Sequence, residues 1–516
     1  MNMKLAFSLF LLVLTTGVFA QISEKQLDEL VQKTLTSFNV PGIAAAVVKD
    51  GKIVHSKGYG VRSILSKEKV DGNTLFGIAS NSKAFTAAAL GMLVDEGKLN
   101  WDDKVVKFIP EFKMYNDYVT NEFTIRDLLS HRSGLGLGAG DLMIWPDKNN
   151  FTTNDIIQNL QFLKPVSAFR TKYDYDNLLY IVAGEIVTRA SGKSWCDFIE
   201  SRILKPLEMT HTAASFTRLT DTSNIITPHV PTDGKLKAIK RYTGQVFDPA
   251  AGIYSSVNDL SKWVIMQLQD GKYGSNQQNQ LFSATVHNEM WTPQTILPNR
   301  KATPYTSNFR NYGLGWQLTD INGHLQVSHT GGLDGIVTQV VMIPDLDLGI
   351  IVLTNQQSGA AFTAISNAIK DSYLKLPAFD HIANLSKDSQ DKEDSADKIT
   401  DEAWVQIAKN KKEKIKTDLT KYAGIFRDNW FGNIELTEKN GKFYFHSVRS
   451  PQLTGEIFYY KDQTFVVKWN NRSFLADAFL TFSEDKDQIE MRPVSPLTDF
   501  SYDFQDLEFH RINIGK

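Results

Sequence analysis

The sequence predicts an α+β fold in which strand-forming segments lie on both sides of a mostly helical middle, followed by a second, β-rich part. An amphipathic helix is expected over residues 24–38, and two strand segments, GIAAAVV and KIVHSKGYG, come directly after it. Strand patterns return at YGLGWQL, HLQVSHT, TQVVMIP and LGIIVLTN, after the helical middle from about Phe76 to Met266. Period-two strands dominate again after about Leu419.

Turn and helix signals support this division. Lys49-Asp50-Gly51-Lys52 separates the first two strands, and an Asp-Gly pair at such a place predicts a tight hairpin turn. A helix predicted from about Ala360 to Leu374 closes the first part of the chain. The Asn440-Gly441 pair predicts a second hairpin turn within NIELTEKNGKFYFHS.

The first residues, MNMKLAFSLFLLVLTTGVFAQ, are typical of a secretory signal peptide. Lys4 supplies the positive end, Leu5 to Leu14 is an apolar run too short to span a bilayer, and Val18-Phe19-Ala20 suits cleavage before Gln21. The alternative is that this segment is a membrane anchor. A lipoprotein anchor is not expected, because no cysteine follows the apolar run. We therefore expect cleavage after Ala20, export to a bacterial periplasm or the exterior, and no stable membrane insertion afterwards.

The composition fits an enzyme with a sizeable core and argues against several other classes. Hydrophobic residues make up 42% of the 516 residues, charged residues 22%, and the formal net charge is -2 without a basic tract. This balance argues against nucleic-acid binding. The single cysteine, Cys196, cannot form an intramolecular disulfide, and we expect a packed thiol. No HExxH pattern, cysteine pair or close histidine pair occurs, so we predict no metal and no other cofactor.

Three short segments, far apart in the chain, supply the parts of an acyl-transfer site. They are Ser80-Asn81-Ser82-Lys83, Tyr175-Asp176-Asn177 and His329-Thr330-Gly331-Gly332. A serine needs a nearby base before it can attack a carbonyl, and the resulting anion needs positioned hydrogen-bond donors. Here a lysine follows a serine by one helical turn, a tyrosine can join the proton relay, and glycines can offer backbone N–H groups.

The Ser-x-x-Lys pattern alone is weak, because it also starts at Ser66, Ser389, Ser395 and Ser483 in polar stretches. Ser80 differs because the apolar helix-forming run AFTAAALGMLV follows it. Positions i and i+3 share one helix face, so Lys83 would point the same way as Ser80. The alternatives are an ordinary N-cap serine and a solvated lysine. A lysine held in apolar surroundings instead loses solvation and can act as a base near neutral pH.

With these residues in place, FGIASNSKAFTAAALGMLVDEGKLNWDDKV resembles the active-serine region of the serine β-lactamase and penicillin-recognising hydrolase superfamily. Over residues 21–376 the chain is most similar to class C β-lactamases, D-stereospecific peptidases and family VIII esterases. The segments LLSHRSGLG, ILKPLEMTHT, FDPAAGIYSSVNDLSKW and IPDLDLGIIVLTN resemble the supporting signatures of the same superfamily. The resemblance implies a β-lactamase/transpeptidase-like antiparallel sheet flanked by helices, with an inserted helical subdomain and a cleft where the three segments meet.

The resemblance also implies catalytic roles. Ser80 is the nucleophile that forms the acyl-enzyme, and Lys83 takes or relays its proton. Tyr175 fits the Tyr-x-Asn element of the superfamily, whose phenol passes a proton to the leaving group. Asn177 binds the acyl-side amide of the substrate or orients Lys83. A half-buried tyrosine without a catalytic role is the alternative for Tyr175.

The third segment implies a substrate-binding strand with one departure from the family pattern. The backbone N–H of Gly332, with that of Ser80, is expected to form the oxyanion hole, and His329-Thr330-Gly331 stands where the family has Lys-Thr-Gly. A histidine is mostly neutral at pH 7, whereas lysine gives a permanent charge for a substrate carboxylate. We therefore discount β-lactams as main substrates, although His329 could also be a plain strand-end residue. Asp176 would repel anions if it faced the cleft.

The C-terminal part divides into a linker and a small barrel. Residues 377–418 form a charged stretch poor in large apolar residues, which suits a linker with a short helix at about Trp404 to Lys416. Residues 419–516 resemble the small lipocalin-like antiparallel β-barrel found in many family relatives. A stabilising or dimerising module is the favoured interpretation, and a domain that covers the cleft or holds an apolar ligand is the alternative.

Together these observations predict a secreted serine hydrolase that works through a Ser80 acyl-enzyme. Small-molecule esters, D-amino-acid peptides or amides and related cell-wall fragments are the expected substrates, with weak β-lactamase activity. The alternative is a binding protein that captures penicillin or a peptidoglycan peptide without hydrolysing it. The sequence leaves open the natural substrate, whether Lys83 or Tyr175 is the immediate base, the role of the barrel and the oligomeric state.

Overall fold

The structure is a computed structural model that describes residues 21–299, 304–415 and 417–512, and the predicted signal peptide lies outside these ranges. In the described residues the chain forms an eight-stranded antiparallel sheet with helices, then a long helix, then a closed barrel. The predicted α+β class is confirmed. In the same ranges, no helix combines the length and the apolar character needed to cross a membrane.

The main sheet joins strands from both ends of the first domain. Its spatial order is β2-β1-β8-β7-β6-β5-β4-β3, and every neighbouring pair is antiparallel. The antiparallel sheet that the resemblance implied is present, and it pairs early with late strands, since Ala45 of β1 lies opposite Val352 of β8. The strands are β1 Gly42–Lys49, β2 Lys52–Gly60, β3 Thr295–Leu297, β4 Arg310–Tyr312, β5 Gln317–Ile321, β6 His324–Leu333, β7 Ile336–Ile343 and β8 Leu348–Thr354.

The predicted hairpin between β1 and β2 is present. Asp50 and Gly51 have φ values of 51° and 69°, the left-handed backbone that a two-residue hairpin turn requires at both positions. β1 is buried on both faces, which explains its continuous apolar sequence. Three further strand pairs are short: Phe76–Gly77 with Tyr254–Ser255, His229–Thr232 with Lys235–Ala238, and Lys272–Tyr273 with Asn279–Gln280.

Helices cover both faces of the sheet. The first and twelfth helices pack through Val31 and Ile365 against Ile43 and Ile350 on one face, and the second and tenth lie in the core of the other face. The helices are α1 Glu24–Ser37, α2 Ser82–Asp95, α3 Val105–Phe108, α4 Asp117–Glu122, α5 Ile125–Leu129, α6 Thr153–Asn159, α7 Leu178–Ser191, α8 Trp195–Ile199, α9 Asp248–Ala251, α10 Val257–Leu268, α11 Ala284–Met290, α12 Gly359–Tyr373 and α13 His381–Lys412.

The charged stretch predicted as a linker is helical for most of its length. α13 begins at His381, well before the short helix predicted at 404–416, and ends at Lys412. Ala403 and Ile407, one turn apart, pack against Val466 and Phe479 on the outside of the barrel. A few apolar residues on one face are enough to dock this helix on the barrel, although the composition of the segment is polar.

The C-terminal domain is a closed antiparallel barrel, as the resemblance implied. Its predicted Asn440-Gly441 turn is present, with φ values of 57° and 75°. Phenylalanine rings fill the interior, for example Phe465 and Phe482 with ring centroids 5.7 Å apart. Its strands are β9 Gly424–Asp428, β10 Gly432–Lys439, β11 Lys442–Ser447, β12 Thr454–Lys461, β13 Thr464–Trp469, β14 Ala478–Phe482, β15 Gln488–Pro493 and β16 Glu508–Ile512.

β15 is a strand that its sequence does not readily predict. Its QIEMRP sequence is mostly polar, and only Ile489 and Met491 point into the core. The alternation is nevertheless period two, which is the pattern of a strand with one solvated face.

Candidate active site

Ser80 lies on a tight turn that packs against strand β6 of the sheet. The 3₁₀ turn Ala79–Asn81 leads directly into α2, so Ser80 stands at a helix N-terminus as predicted. Ala79 has a φ of 52°, an uncommon backbone for a residue with a side chain and one often found at functional sites. A Cβ at Gly331 of β6 would lie only 2.3 Å from the carbonyl oxygen of Ile78, so glycine permits this close approach.

Gly331→Ala is therefore expected to push β6 away from the serine turn and to lower kcat about 100-fold, the cost of misplacing a reacting group by about 1 Å. Ester hydrolysis at saturating substrate measures the loss. Gly359→Ala on α12 is the matched control, because its Cβ would make only ordinary contacts at 3.6 Å. Full activity of Gly331→Ala would contradict the proposed fit.

Lys83 is completely buried beside Ser80. Its Nζ lies 3.1 Å from Ser80 Oγ, 2.7 Å from Asn177 Oδ1 and 3.0 Å from the carbonyl oxygen of Ala250. Burial lowers the pKa of Lys83 to about 7, while the carboxyl groups of Asp141 and Asp176 act in the opposite direction. The amine is therefore available in its neutral form near neutral pH.

Tyr175 completes the group around the serine. Its phenol lies near the Ser80 hydroxyl, and its ring centroid lies 4.8 Å from Lys83 Nζ. Burial raises the pKa of Tyr175 well above 10, with the Ser80 hydroxyl acting in the opposite direction. The phenol stays protonated, so it can relay a proton but is a poor base compared with Lys83.

The imidazole ring of His131 packs against the ring of Tyr175. It comes from the LLSHRSGLG segment, and its ring centroid lies 4.3 Å from that of Tyr175. The backbone N–H of Asp176 donates to His131 Nδ1 at 3.1 Å. His131 therefore fixes the backbone and the ring that precede α7.

The start of α7 separates the two polar residues of the second segment. Asn177 faces the site, where its Oδ1 accepts from Lys83. Asp176 turns the other way and accepts from the backbone N–H of Leu178 at 2.9 Å, at the N-terminus of α7. It is fully buried and is not among the cavity-lining residues, so it does not present the anion-repelling carboxylate considered from the sequence.

His329 lies within β6 and is neutral. Its Nδ1 is 2.6 Å from the carbonyl oxygen of Thr330, and its Nε2 is 2.8 Å from the hydroxyl of Tyr312. A carbonyl can only accept, so Nδ1 carries the proton and Nε2 accepts from the tyrosine. Burial, then the charge of Lys83, lowers the pKa of His329 to about 3. The position that holds lysine in much of the superfamily is thus uncharged here.

The three predicted segments meet at one cavity of about 690 Å³. Ser80, Tyr175, Asn177, His329 and Gly332 line it, while Lys83 is buried beside Ser80 and Gly331 lies behind the turn. The geometry brings all seven residues together. Their chemical roles stay predictions.

The barrel also contributes to the cavity wall. Its lining residues include Phe474, Leu475, Leu497, Asp499 and Phe500. The ring of Phe500 meets that of Tyr175 edge-on, with centroids 5.7 Å apart. The position of the barrel fits the cleft-covering alternative better than a purely stabilising or dimerising module.

Several residues at the site escaped the sequence analysis. Tyr312, the partner of His329, follows no motif. Asp141, which contacts Asn177, lies in the glycine-rich stretch after LLSHRSGLG, and a buried acid there has no local signature. The run of glycines around it was the one available signal that the backbone approaches something closely.

The beta-lactamase family model matches residues 27–373, more than half of the chain. The chain belongs to the beta-lactamase family. Members of this family with the beta-lactamase/penicillin-binding fold are serine hydrolases, and the resemblance inferred from the sequence is confirmed. A second family, a domain of unknown function called DUF3471, matches residues 408–511, which include the barrel strands.

Relatives of this beta-lactamase family protein come from distant organisms. Protein flp of Staphylococcus aureus is 31% identical over 340 residues, and the match covers 65% of this chain and 64% of that relative. The matched part of this chain thus spans less than two thirds of the length of flp. Unguisins hydrolase ungD of Aspergillus violaceofuscus is 29% identical over 372 residues, with 68% and 65% covered.

A solved structure shares the whole architecture. The octameric penicillin-binding protein homologue from Pyrococcus abyssi is 20% identical, and the match covers 95% of this chain and 100% of that one with a TM-score of 0.60. At this identity the likeness shows the fold. The predicted β-lactamase/transpeptidase-like fold with a C-terminal barrel is therefore confirmed.

Proposed function

We propose that this protein is an exported serine hydrolase that forms an acyl-enzyme on Ser80 with small esters and with D-amino-acid peptides or amides. β-Lactams are minor substrates in this proposal. The observation that carries it is the set of three partners around Lys83 Nζ.

These partners define where the lone pair of a neutral Lys83 must point. Asn177 Oδ1 and the Ala250 carbonyl can only accept hydrogen bonds, so they take the two N–H groups of the amine. The remaining direction faces Ser80 Oγ at 3.1 Å. The amine lone pair is thus aimed at the serine proton, which is the arrangement a general base needs. This supports Lys83 rather than Tyr175 as the immediate base.

The proposed reaction follows from this arrangement. Ser80 Oγ attacks the substrate carbonyl carbon while its proton passes to Lys83, and the N–H groups of Ser80 and Gly332 stabilise the oxyanion. The tetrahedral intermediate then expels the alcohol or amine, which takes a proton through the phenol of Tyr175. Water attacks the resulting Ser80 ester, with the proton relay reversed, and releases the acid.

The charges around the cavity support uncharged or cationic substrates. Among the described residues that line it there is no lysine or arginine, and His329 is neutral. Asp334 and Asp499 lie on the wall. The carboxylate of a β-lactam would therefore find acidic neighbours and no fixed positive charge.

Fluorophosphonate labelling followed by ester turnover tests the proposal. We expect one covalent adduct per chain, located on the Ser80 peptide by mass spectrometry, and steady release of p-nitrophenol from p-nitrophenyl butyrate after the first turnover. A burst of one equivalent without further turnover would support the binding-protein alternative instead. Absence of any adduct would contradict an activated serine.

Charge preference gives a separate prediction. p-Nitrophenyl hemisuccinate, the anionic counterpart of the butyrate, is expected to have a kcat/KM at least about tenfold lower, which corresponds to about 1.4 kcal/mol of repulsion. Burial raises the pKa of Asp334 to about 7, so above pH 7 Asp334→Asn should reduce the difference by removing one lining carboxylate. Equal kcat/KM values for the two esters in the wild type would show that the cleft does not select against anions.

A further inference from the structure

The connection between β15 and β16, residues 494–507 and here called the barrel loop, is one of the places where the barrel contacts the hydrolase domain. Within it, Asp503 accepts from the backbone N–H groups of Gly140 at 2.6 Å and Leu142 at 2.9 Å. Ser501 Oγ donates to Asp141 Oδ2 at 2.8 Å. The barrel loop therefore clamps the segment 140–142 through both its backbone and its one acidic side chain.

Asp141 connects this clamp with the catalytic centre. It is completely buried, and its Oδ2 also accepts from Asn177 Nδ2 at 2.7 Å. Asn177 Oδ1 in turn accepts from Lys83 Nζ at 2.7 Å. A continuous series of hydrogen bonds thus runs from Ser501 of the barrel through Asp141 and Asn177 to Lys83.

The orientation of the Asn177 amide depends on this series. An amide presents two donors on its nitrogen and an acceptor on its oxygen, and only the oxygen can hold the N–H of Lys83. Asp141 fixes which end faces the lysine, because its Oδ2 takes the amide nitrogen. Without that acceptor the amide can turn its nitrogen toward Lys83, and the lysine loses one of the partners that aim its lone pair at Ser80.

We propose that Asp141, clamped by Ser501 and Asp503 of the barrel loop, is a positioning residue for Asn177 and Lys83, so that the catalytic centre is complete only with the barrel in place. This inference rests on the proposed function of the same site. It gives the C-terminal domain a part in the hydrolase reaction.

The neutral form of Asp141 suits this role. Burial raises its pKa well above the usual range, while Ser501, Asn177 and Lys83 lower it and the carboxyl of Asp176 adds to the increase. Other titratable groups near this centre include Asp503, Tyr175, His131, His329 and Tyr180. Within the described part of the chain, Asp141 Oδ1 has no hydrogen-bond partner. Asn in this position would therefore resemble the protonated acid and keep an acceptor at the Oδ2 position.

Variants of the full-length protein separate positioning from a structural role. Asp141→Ala is expected to lower both kcat and the rate constant of fluorophosphonate acylation about 100-fold with little change in KM, because the base is misaligned while the cleft is intact. Asp141→Asn should recover most of this loss. Ser501→Ala removes one of the two donors to Asp141 Oδ2. It should lower the acylation rate constant about tenfold, as expected for the loss of one modest hydrogen bond.

Thr437→Ala, an exposed hydroxyl change on barrel strand β10, is the matched control and should leave the acylation rate constant unchanged. Melting temperatures verify folding, and Ser501→Ala carries the test if Asp141→Ala does not fold. Wild-type acylation rates in Ser501→Ala, or equal losses in Asp141→Asn and Asp141→Ala, would overturn the positioning role. Failure of the wild type itself to react would instead reject the proposed function.

Discussion

Ser80→Ala is expected to abolish acyl-enzyme formation and to lower kcat by up to ~10⁶-fold, as for other serine nucleophiles that act in a unit with their base. The reason is chemical rather than structural. Alanine removes only the hydroxyl that Lys83 contacts and Tyr175 lies near, and the turn is held by Gly331 and by the start of α2. Intact-mass analysis after fluorophosphonate treatment and p-nitrophenyl butyrate hydrolysis measure the two effects.

Ser66→Ala is the matched control for this change. Ser66 also begins a Ser-x-x-Lys sequence, but it is exposed in a polar stretch. We expect this variant to label and to turn over like the wild type. Substantial hydrolysis by Ser80→Ala would assign the nucleophile to another residue.

Lys83→Met is expected to lower kcat about 10³-fold, because the variant keeps the length of the side chain but lacks the base. The wild-type kcat/KM should rise with pH through about 7, where Lys83 loses its proton. The variant should lose this rise. Lys69→Met, in the exposed Ser66 pattern, should retain both the rate and the pH profile. A normal pH profile in Lys83→Met would remove this lysine from the relay.

Lys83→Met should also differ from the wild type in how its unfolding free energy depends on pH. Burial lowers the pKa of Lys83 from 10.5 to about 7, so between these pH values the unfolded chain binds a proton that the folded chain does not. Folding is therefore favoured increasingly as pH rises from about 7 to 10.5. Lys83→Met removes this contribution, and urea unfolding at several pH values should show a smaller increase of the unfolding free energy for the variant than for the wild type.

Local signals in the sequence were enough to predict the two hairpin turns, the place of Ser80 before a helix and the strand-rich character of the C-terminal domain. Asp50-Gly51 and Asn440-Gly441 readily adopt the left-handed backbone of a two-residue hairpin turn, which few other pairs do. The apolar run after Ser80 predicts a helix, and in a helix Ser80 and Lys83 share one face. These are short-range rules of sterics and periodicity. The meeting of the three active-site segments needed the resemblance to a known family.

The interactions that escaped prediction are long-range and polar. Asp141 and Ser501 belong to different domains, and neither lies in a periodic pattern that indicates a partner. The orientation of Asp176 depends on the first N–H groups of α7, and the tautomer of His329 depends on Tyr312 and on the Thr330 carbonyl. Such contacts are set by the tertiary structure, so composition and residue spacing do not predict them.

The pairing of β1 with β8 also determines when the active site can form during synthesis. Ile43 pairs with Thr354, and a ribosome takes roughly 15–60 s to make the chain between them at ~5–20 residues per second. Until then the apolar strand β1 has no partner on that edge, and such long-range pairing is slow even in a finished chain. Ser80 is made early but gains His329 late, so hydrolytic activity begins only after translation has passed the last strand of the sheet.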